Sequence, residues 1–306
     1  MTVSLVTGAG GFVGGHLCRT LAARGHDVRR VSRAAQQHSG APVSVLETDE
    51  PALTRVLGGV DNVYFLAGVA HRPLSAADAD MLHAVNVAAP LRWLQAAERA
   101  GVGRFIWLSS IKVLGDTSSR PLTPQDPLAP ADAYARSKAA AEEALLGSTC
   151  SGVSLAVVRP PLVYGPGVGG NFAALLRWAA GPAPLPLGCA TALRSLVAVG
   201  NLCDLLGRLS LDGSGVYHVA DDDDVHVAAL LSEVRRLLGR PPRLLAVPRP
   251  VMRAAAQIAG RRAVYQRLFE PLQVDTAATR QALAWQPPQS RAEALQETVA
   301  WLPTSR

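Results

Sequence analysis

Apolar positions along this chain switch repeatedly between a short, nearly continuous spacing and a helical one. Residues 2–7, TVSLVT, form a β-branched run that breaks into GAGGFVGG, after which Phe12, Val13, His16, Leu17, Thr20 and Leu21 recur at helical spacing. The pattern predicts strand, tight turn and helix. Further strands are predicted over His26 to Ser32, Val43 to Glu47, Asp61 to Ala67, Arg104 to Ser109 and Val153 to Arg159. Helical or turn segments separate them, with a longer helix from about Ala79 to Ala100 and another over Ala131 to Leu146. Apolar strands alternating with helices imply an α/β fold, a doubly wound parallel sheet of the Rossmann type covered on both faces.

The pattern changes after Pro160. RPPLVYGPGVGGN is rich in proline and glycine, and the segments beyond it are shorter. Helices are predicted at Phe172 to Ala180, Asn201 to Ser210, Val227 to Leu238 and Arg291 to Trp301, with short strands near Leu193 to Val197 and Val216 to Val219. The expected organisation is a dinucleotide-binding domain over 1–160 and a smaller C-terminal α/β substrate-binding lobe over 161–306, some of whose strands return to the main sheet. Asp221 to Asp224 has no spaced ligand pattern beside it, so it reads as a solvated loop rather than a cation site.

Composition narrows the function classes. With 49% hydrophobic and 18% charged residues, the chain should bury a substantial core. No apolar run approaches the ~18 residues that span a bilayer, and no basic leader precedes the first apolar run, so a soluble cytoplasmic protein without a membrane partner is expected. Cys18, Cys150, Cys189 and Cys203 lack C-x-x-C spacing, which argues for free thiols and against a metal site. The net charge is +6, but the arginines read as dispersed and aromatics make up 5%, which offers no basic-aromatic stripe for a nucleic acid. An anionic small substrate accounts for the charge equally well.

Two stretches carry candidate chemistry. In the first turn, Gly8, Gly11 and Gly14 leave room for a pyrophosphate to approach the backbone, with Phe12 and Val13 opening the next helix. Between a strand and a helix, that turn indicates a dinucleotide. The second strand ends Val31-Ser32-Arg33, with no acid to accept from a ribose 2′-hydroxyl and with an arginine able to pair a 2′-phosphate, so NADP(H) is favoured with NAD(H) the alternative. Asp49 is a candidate partner for the adenine amino group. In ADAYARSKAAAEEALL, Asp132 is placed to cap a helix that sets Tyr134 and Lys138 one turn apart. Of 30 basic residues only Lys112 and Lys138 are lysines, so a lysine here suggests that an ammonium of tunable pKa is wanted.

Taken together, Thr7-Gly8-x-x-Gly11-x-x-Gly14, Leu108-Ser109-Ser110 and Tyr134-x-x-x-Lys138 resemble the extended short-chain dehydrogenases, in particular the nucleotide-sugar epimerases, dehydratases and reductases. SSIKVLG, RPPLVYGPG, Gly170-Asn171-Phe172, RSLVAVGNLCDLL and LQVD resemble UDP-glucose 4-epimerase-like proteins and the 4-keto reductases of UDP-N-acetylquinovosamine synthesis. The resemblance implies that Ser110 hydrogen-bonds the reacting sugar oxygen, with Ser109 the alternative. Tyr134 would exchange the proton, while Lys138 would hold the nicotinamide ribose and lower the phenol's pKa. Ala67, Asn86 and Pro161 would lie against the cofactor, and Asn171 and Arg194 would contact the substrate diphosphate. A homodimer packed through the long helices is also implied. Leu162 and Ser32 depart from the pattern of a galactose-type epimerase with tightly held NAD, so 4-keto reduction at C4 of a UDP-linked sugar is the expected reaction and 4-epimerisation the alternative. A catalytically silent NADP(H)-binding regulator would be expected to lack part of the Ser/Tyr/Lys set, which this chain keeps.

Overall fold

The computed structural model describes residues 1–31, 46, 49–69 and 79–302. The first half runs β1 (Val3–Thr7), α1 (Phe12–Ala23), β2 (Asp27–Val31), α2 (Glu50–Leu57), β3 (Asn62–Phe65), α3 (Ala79–His83), α4 (Ala89–Arg99), β4 (Arg104–Leu108), α5 (Ala133–Leu146) and β5 (Ser154–Arg159). The second half continues through β6 (Leu162–Tyr164), α6 (Gly170–Ala180), β7 (Leu193–Arg194), β8 (Leu196–Ala198), α7 (Val199–Arg208), β9 (Gly215–His218), β10 (Val225–His226), α8 (Val227–Leu237), α9 (Arg249–Ile258), α10 (Arg262–Phe269), α11 (Ala277–Leu283) and α12 (Arg291–Trp301).

Six strands pair in the order β2-β1-β3-β4-β5-β9, all parallel. Successive strand residues point to opposite faces, and both faces are buried, as in β3, where all four residues are covered. Leu5, Val63, Phe65, Phe105 and Val157 pack under Trp93 and Ala97 of α4 and Leu145 of α5. Their neighbours Val6, Tyr64, Ile106, Ala156 and Val158 pack under Leu17 and Leu21 of α1 and Leu202 and Leu206 of α7. A separate core joins β6 and β8 to α6, α8, α10 and α12. Strand β9, late in sequence, extends the main sheet beyond β5.

Several expectations need adjustment. The helix expected over 79–100 is interrupted by a π turn, Ala84–Ala88, flanked by α3 and α4. The strand expected over 193–197 is broken at Ser195, whose hydroxyl donates to Asp224 and accepts from the Val274 amide at 2.8 Å. Helices α9 to α11 lie outside the predicted elements; α9 buries none of its residues, its apolar Val251 and Ile258 facing outward. Of the strand expected at 43–47, only Leu46 lies within the described residues, and it sits in a turn.

Asp221 to Asp224 is solvated only in part: Asp222 and Asp223 are exposed, whereas Asp221 and Asp224 are tied into the fold. Asp221 is buried and accepts from Tyr164 Oη at 2.8 Å, the Ala198 amide at 3.0 Å and Asn201 Nδ2 at 2.8 Å. Asp222 pairs with Arg280, Asp223 with Arg291, and Asp224 accepts from Ser195 and from Gln273 Nε2 at 2.7 Å. The run clasps four parts of the second lobe, because each carboxylate meets a donor from a different element. Among the described residues no cluster of His, Cys, Asp and Glu is arranged to hold a metal.

Candidate active site

The turn after β1 is shaped by what its glycines exclude. Gly8 adopts φ +69°, and its carbonyl accepts from the Gly11 amide at 2.9 Å. A Cβ on Gly14 would sit 2.2 Å from the Gly8 oxygen, and one on Gly8 would sit 3.0 Å from the Ala67 amide nitrogen. Thr7 completes the junction, its hydroxyl oxygen accepting from the amides of Leu66 at 3.1 Å and Ala67 at 3.2 Å. Phe12 meets His16 edge-on and packs against Val13's side of the sheet and against the second lobe. The turn therefore closes tightly onto the end of β3 and presents the N-terminus of a twelve-residue helix, a geometry that suits a dinucleotide pyrophosphate. Gly14→Ala forces the turn apart and should destabilise the protein by on the order of 1–3 kcal/mol while weakening dinucleotide binding. Urea denaturation together with NAD(P) titration checks both effects.

Helix α5 starts where Asp132 accepts from the Ala135 amide at 2.7 Å, the expected cap. Burial pushes the Asp132 carboxyl up, but hydrogen bonds from Lys112 and that amide outweigh it and leave the group below its ordinary range. One face of α5 carries Tyr134, Lys138 and Glu142 in successive turns. The Tyr134 phenol is half-buried and lies beside the Ser110 hydroxyl; burial and the Asp132 charge push its pKa up to about 12. Lys138 is buried, donates to the Leu108 carbonyl at 2.8 Å, and lies 4.7 Å from the centroid of the Trp107 ring. Burial lowers the ammonium to about 8. The expected lowering of the phenol by Lys138 is thus not what this arrangement gives. The ammonium is turned onto Leu108 and Trp107, and burial and Asp132 dominate at Tyr134.

Asn86 sits inside the π turn, a distortion that often marks functional sites. Its Oδ1 accepts from the Val69 amide at 2.8 Å, while Nδ2 donates to the Val69 carbonyl at 3.2 Å and to Ser137 Oγ at 2.9 Å. Ser137 in turn donates to the Tyr134 carbonyl at 2.8 Å. A Cβ on Gly68 would lie 3.3 Å from Asn86 Oδ1 and 3.5 Å from Lys138 Nζ. The loop after β3, the π turn and α5 therefore hold one another in register beside Lys138.

Beneath this face lies a network that the sequence did not reveal. Buried Ser109 donates to Glu142 Oε2 at 2.8 Å, and Arg159 donates to Glu142 Oε1 through Nε at 2.9 Å. Arg159 also donates to the Pro124 carbonyl at 3.0 Å and approaches His218 Nε2 at 3.4 Å. The signal available was Glu142 itself, a carboxylate four residues beyond Lys138 on the same helical face. Ser109 is engaged in this network, whereas Ser110 is the hydroxyl at the phenol.

His218, fully buried, is held down to about 4 by burial and by the Arg159 charge. Between that value and the ordinary histidine pKa the unfolded chain binds more protons than the folded one. The full stability is present above pH 6.5 and is lost as pH falls toward 4, by on the order of 3 kcal/mol. Denaturant titrations across that window should give a flatter pH dependence for His218→Gln than for the parent.

The remaining candidate residues are spread more widely. Ser32 and Arg33 lie outside the described residues. Asp49 stands at the N-terminal boundary of α2, and Pro161 is buried just beyond β5. Arg194 on β7 is half-buried, donates through Nη1 to the Glu270 carbonyl at 2.7 Å, and is lowered to about 10 by burial despite the nearby Asp116 charge. Asp116 pairs at 3.3 Å with Lys112, which also binds Asp132, so alternating charges lead from Arg194 to the cap of α5. Asn171 is exposed in the first turn of α6, with no described hydrogen bond to Tyr134, Ser110 or Lys138.

This geometry can be set beside known proteins. Residues 4–219 match the NAD dependent epimerase/dehydratase family. The chain belongs to that family. This epimerase/dehydratase-family protein is 33% identical over 307 residues to UDP-glucose 4-epimerase of Vibrio cholerae, a match spanning 96% of this chain and 93% of that one. It is 29% identical over 255 residues to N-acetyl-alpha-D-glucosaminyl-diphospho-ditrans,octacis-undecaprenol 4-epimerase of Escherichia coli O157:H7, covering 81% and 76% of the two chains. Its fold matches that of MoeE5 in complex with UDP-glucose and NAD, with a TM-score of 0.76 and 25% identity over 98% of each chain. The resemblance read from the glycine turn, Ser110 and Tyr134-x-x-x-Lys138 is therefore correct at the level of family and fold, and a nicotinamide dinucleotide fits the cradle that Gly8, Gly11 and Gly14 keep open.

Proposed function

We propose that this protein is an oxidoreductase acting at C4 of a UDP-linked sugar, with 4-epimerisation the reaction its relatives favour. The observation that carries the reading is the convergence of Ser110, the Tyr134 phenol and Lys138 on the carboxyl ends of strands β1, β3 and β4, beside the glycine turn. The near full-length match to a UDP-glucose 4-epimerase supports the substrate class.

Gly8, Gly11, Phe12, Val13 and Gly14 would hold the pyrophosphate, and Ala67, Asn86, Lys138 and Pro161 would border the nicotinamide end. When bound, the dinucleotide accepts and returns a hydride. Tyr134 exchanges the proton of the C4 oxygen, and Ser110 donates a hydrogen bond to that oxygen while remaining within reach of the phenol. A phenol held near 12 stays protonated at neutral pH, the form that can give its proton to a carbonyl oxygen, although it is a weaker acid than a free phenol. For oxidation of a C4 hydroxyl it must act as a base; Lys138 stands one turn away on the same face of α5, and favouring the phenolate would require its ammonium to turn from the Leu108 carbonyl toward Tyr134. Arg194 keeps further guanidinium donors beyond the one given to Glu270, enough to fork onto a diphosphate, with Asn171 as its companion.

A second strand that ends without an acid favours a second reading, net 4-keto reduction with NADPH. Proton NMR of UDP-glucose or UDP-N-acetylglucosamine incubated with protein and NAD separates the two. Inversion at C4 without net cofactor turnover is expected; stoichiometric NADPH consumption that requires a 4-keto UDP-sugar would assign the reductase instead. Packing of two chains through α4 and α5, where Ala140 and Leu146 are exposed, completes the proposal, and light scattering of the purified protein tests the dimer.

A further inference from the structure

Residues 234–269 contain nine arginines and neither aspartate nor glutamate, so the remainder of the chain is net acidic. The arginines are thus concentrated rather than dispersed. One of them is structural: Arg235 is buried and donates to the carbonyls of Ala179, Gly181, Ala183 and Pro241. Arg249 anchors α9, donating to the Phe269 carbonyl at 2.8 Å and pairing with Glu270 at 3.2 Å. By contrast, Arg236, Arg240, Arg243, Arg253, Arg261 and Arg262 are exposed, and none forms an ion pair with a described residue.

The same segment leaves apolar side chains uncovered. Helix α9 rests on the second-lobe core only through the partly buried Met252 and Ala256. Val251 is 56% exposed and Ile258 89% exposed; seven residues apart, with Ala254 and Ala255 between them, they form a continuous outward stripe. Leu245, 53% exposed, precedes the helix. An aliphatic stripe on one sector of α9, with the exposed guanidinium groups of Arg261 and Arg262 following just past its C-terminal end, is the pattern of a segment that lies in a membrane interface. A second copy of this face would bring like charges together. A nucleic acid would use the arginines but gain little from an aliphatic stripe that has no aromatic ring for base stacking. No described helix is long and apolar enough to cross a membrane, so the contact would be peripheral.

We propose that α9 and its flanking segments dock on an anionic phospholipid surface, the arginines among the headgroups and Val251 and Ile258 at the acyl boundary. The full-length protein should co-float with phosphatidylcholine vesicles containing phosphatidylglycerol, should not co-float with phosphatidylcholine alone, and should release as salt is raised. The double variant Arg261→Glu/Arg262→Glu should lose partitioning by on the order of tenfold or more. Ile258→Asp should weaken it at low salt. Melting curves of both variants should match the parent, since these side chains are exposed. The proposal is overturned if the parent stays in solution with anionic vesicles, or if the folded double variant floats as the parent does. Retention on heparin without flotation would assign the face to a soluble polyanion and overturn it equally.

Discussion

Tyr134→Phe should lower kcat/KM on a UDP-sugar by roughly 10²- to 10⁴-fold while leaving the melting temperature close to that of the parent. Ser110 is the hydroxyl beside the phenol, and no described hydrogen bond ties the Tyr134 oxygen to the rest of the fold, so removing that oxygen disturbs little else. On the proposed mechanism the proton exchanged at the sugar oxygen would lose its relay, whereas the glycine turn would keep its grip on the dinucleotide. Steady-state kinetics together with a dinucleotide binding isotherm separate the two effects. A variant that bound cofactor normally and retained full turnover would remove Tyr134 from the mechanism. Ser110→Ala should fall between the variant and the parent, because Ser110 shares the oxygen but does not carry the proton.

Glu142→Ala should destabilise the fold by about 3–5 kcal/mol, the range for removing one partner of a buried ion pair. Arg159, itself only 4% exposed, would keep its charge and lose the carboxylate, while Ser109 would lose its acceptor. Glu142→Gln preserves an acceptor for both donors and should lie between the parent and the alanine variant. Urea unfolding measures each. Because Glu142 follows Lys138 by one turn, the alanine variant should also lower turnover through displacement of α5, whereas the dinucleotide contacts proposed at Gly11 and Gly14 would lie at another helix and should persist.

The sheet and the two motifs at its ends were legible because they depend on local rules. Strands buried on both faces appear as near-continuous apolar runs, and Gly14 is demanded by an oxygen six residues earlier. Asp132 as the cap of α5 follows from the same short range. What could not be read depends on partners far along the chain. Glu142, Arg159 and His218 meet only once β4, β5 and β9 lie side by side, and Asp221 finds Tyr164, Ala198 and Asn201 through the second lobe. The direction of Lys138 was likewise set by Leu108 and Trp107 on β4, which composition cannot report. The π turn at Asn86 escaped because its residues are as helix-compatible as those around them.

The most direct test of the central claim, reversible oxidation and reduction at C4 within one site, uses UDP-glucose deuterated at C4. Turned over by the protein with NAD in ordinary water, the label should reappear at C4 of UDP-galactose with little loss to solvent, and Tyr134→Phe should suppress its movement. Epimer formed with the deuterium exchanged for solvent hydrogen would contradict the account, since inversion would then proceed by proton abstraction from carbon rather than by hydride return.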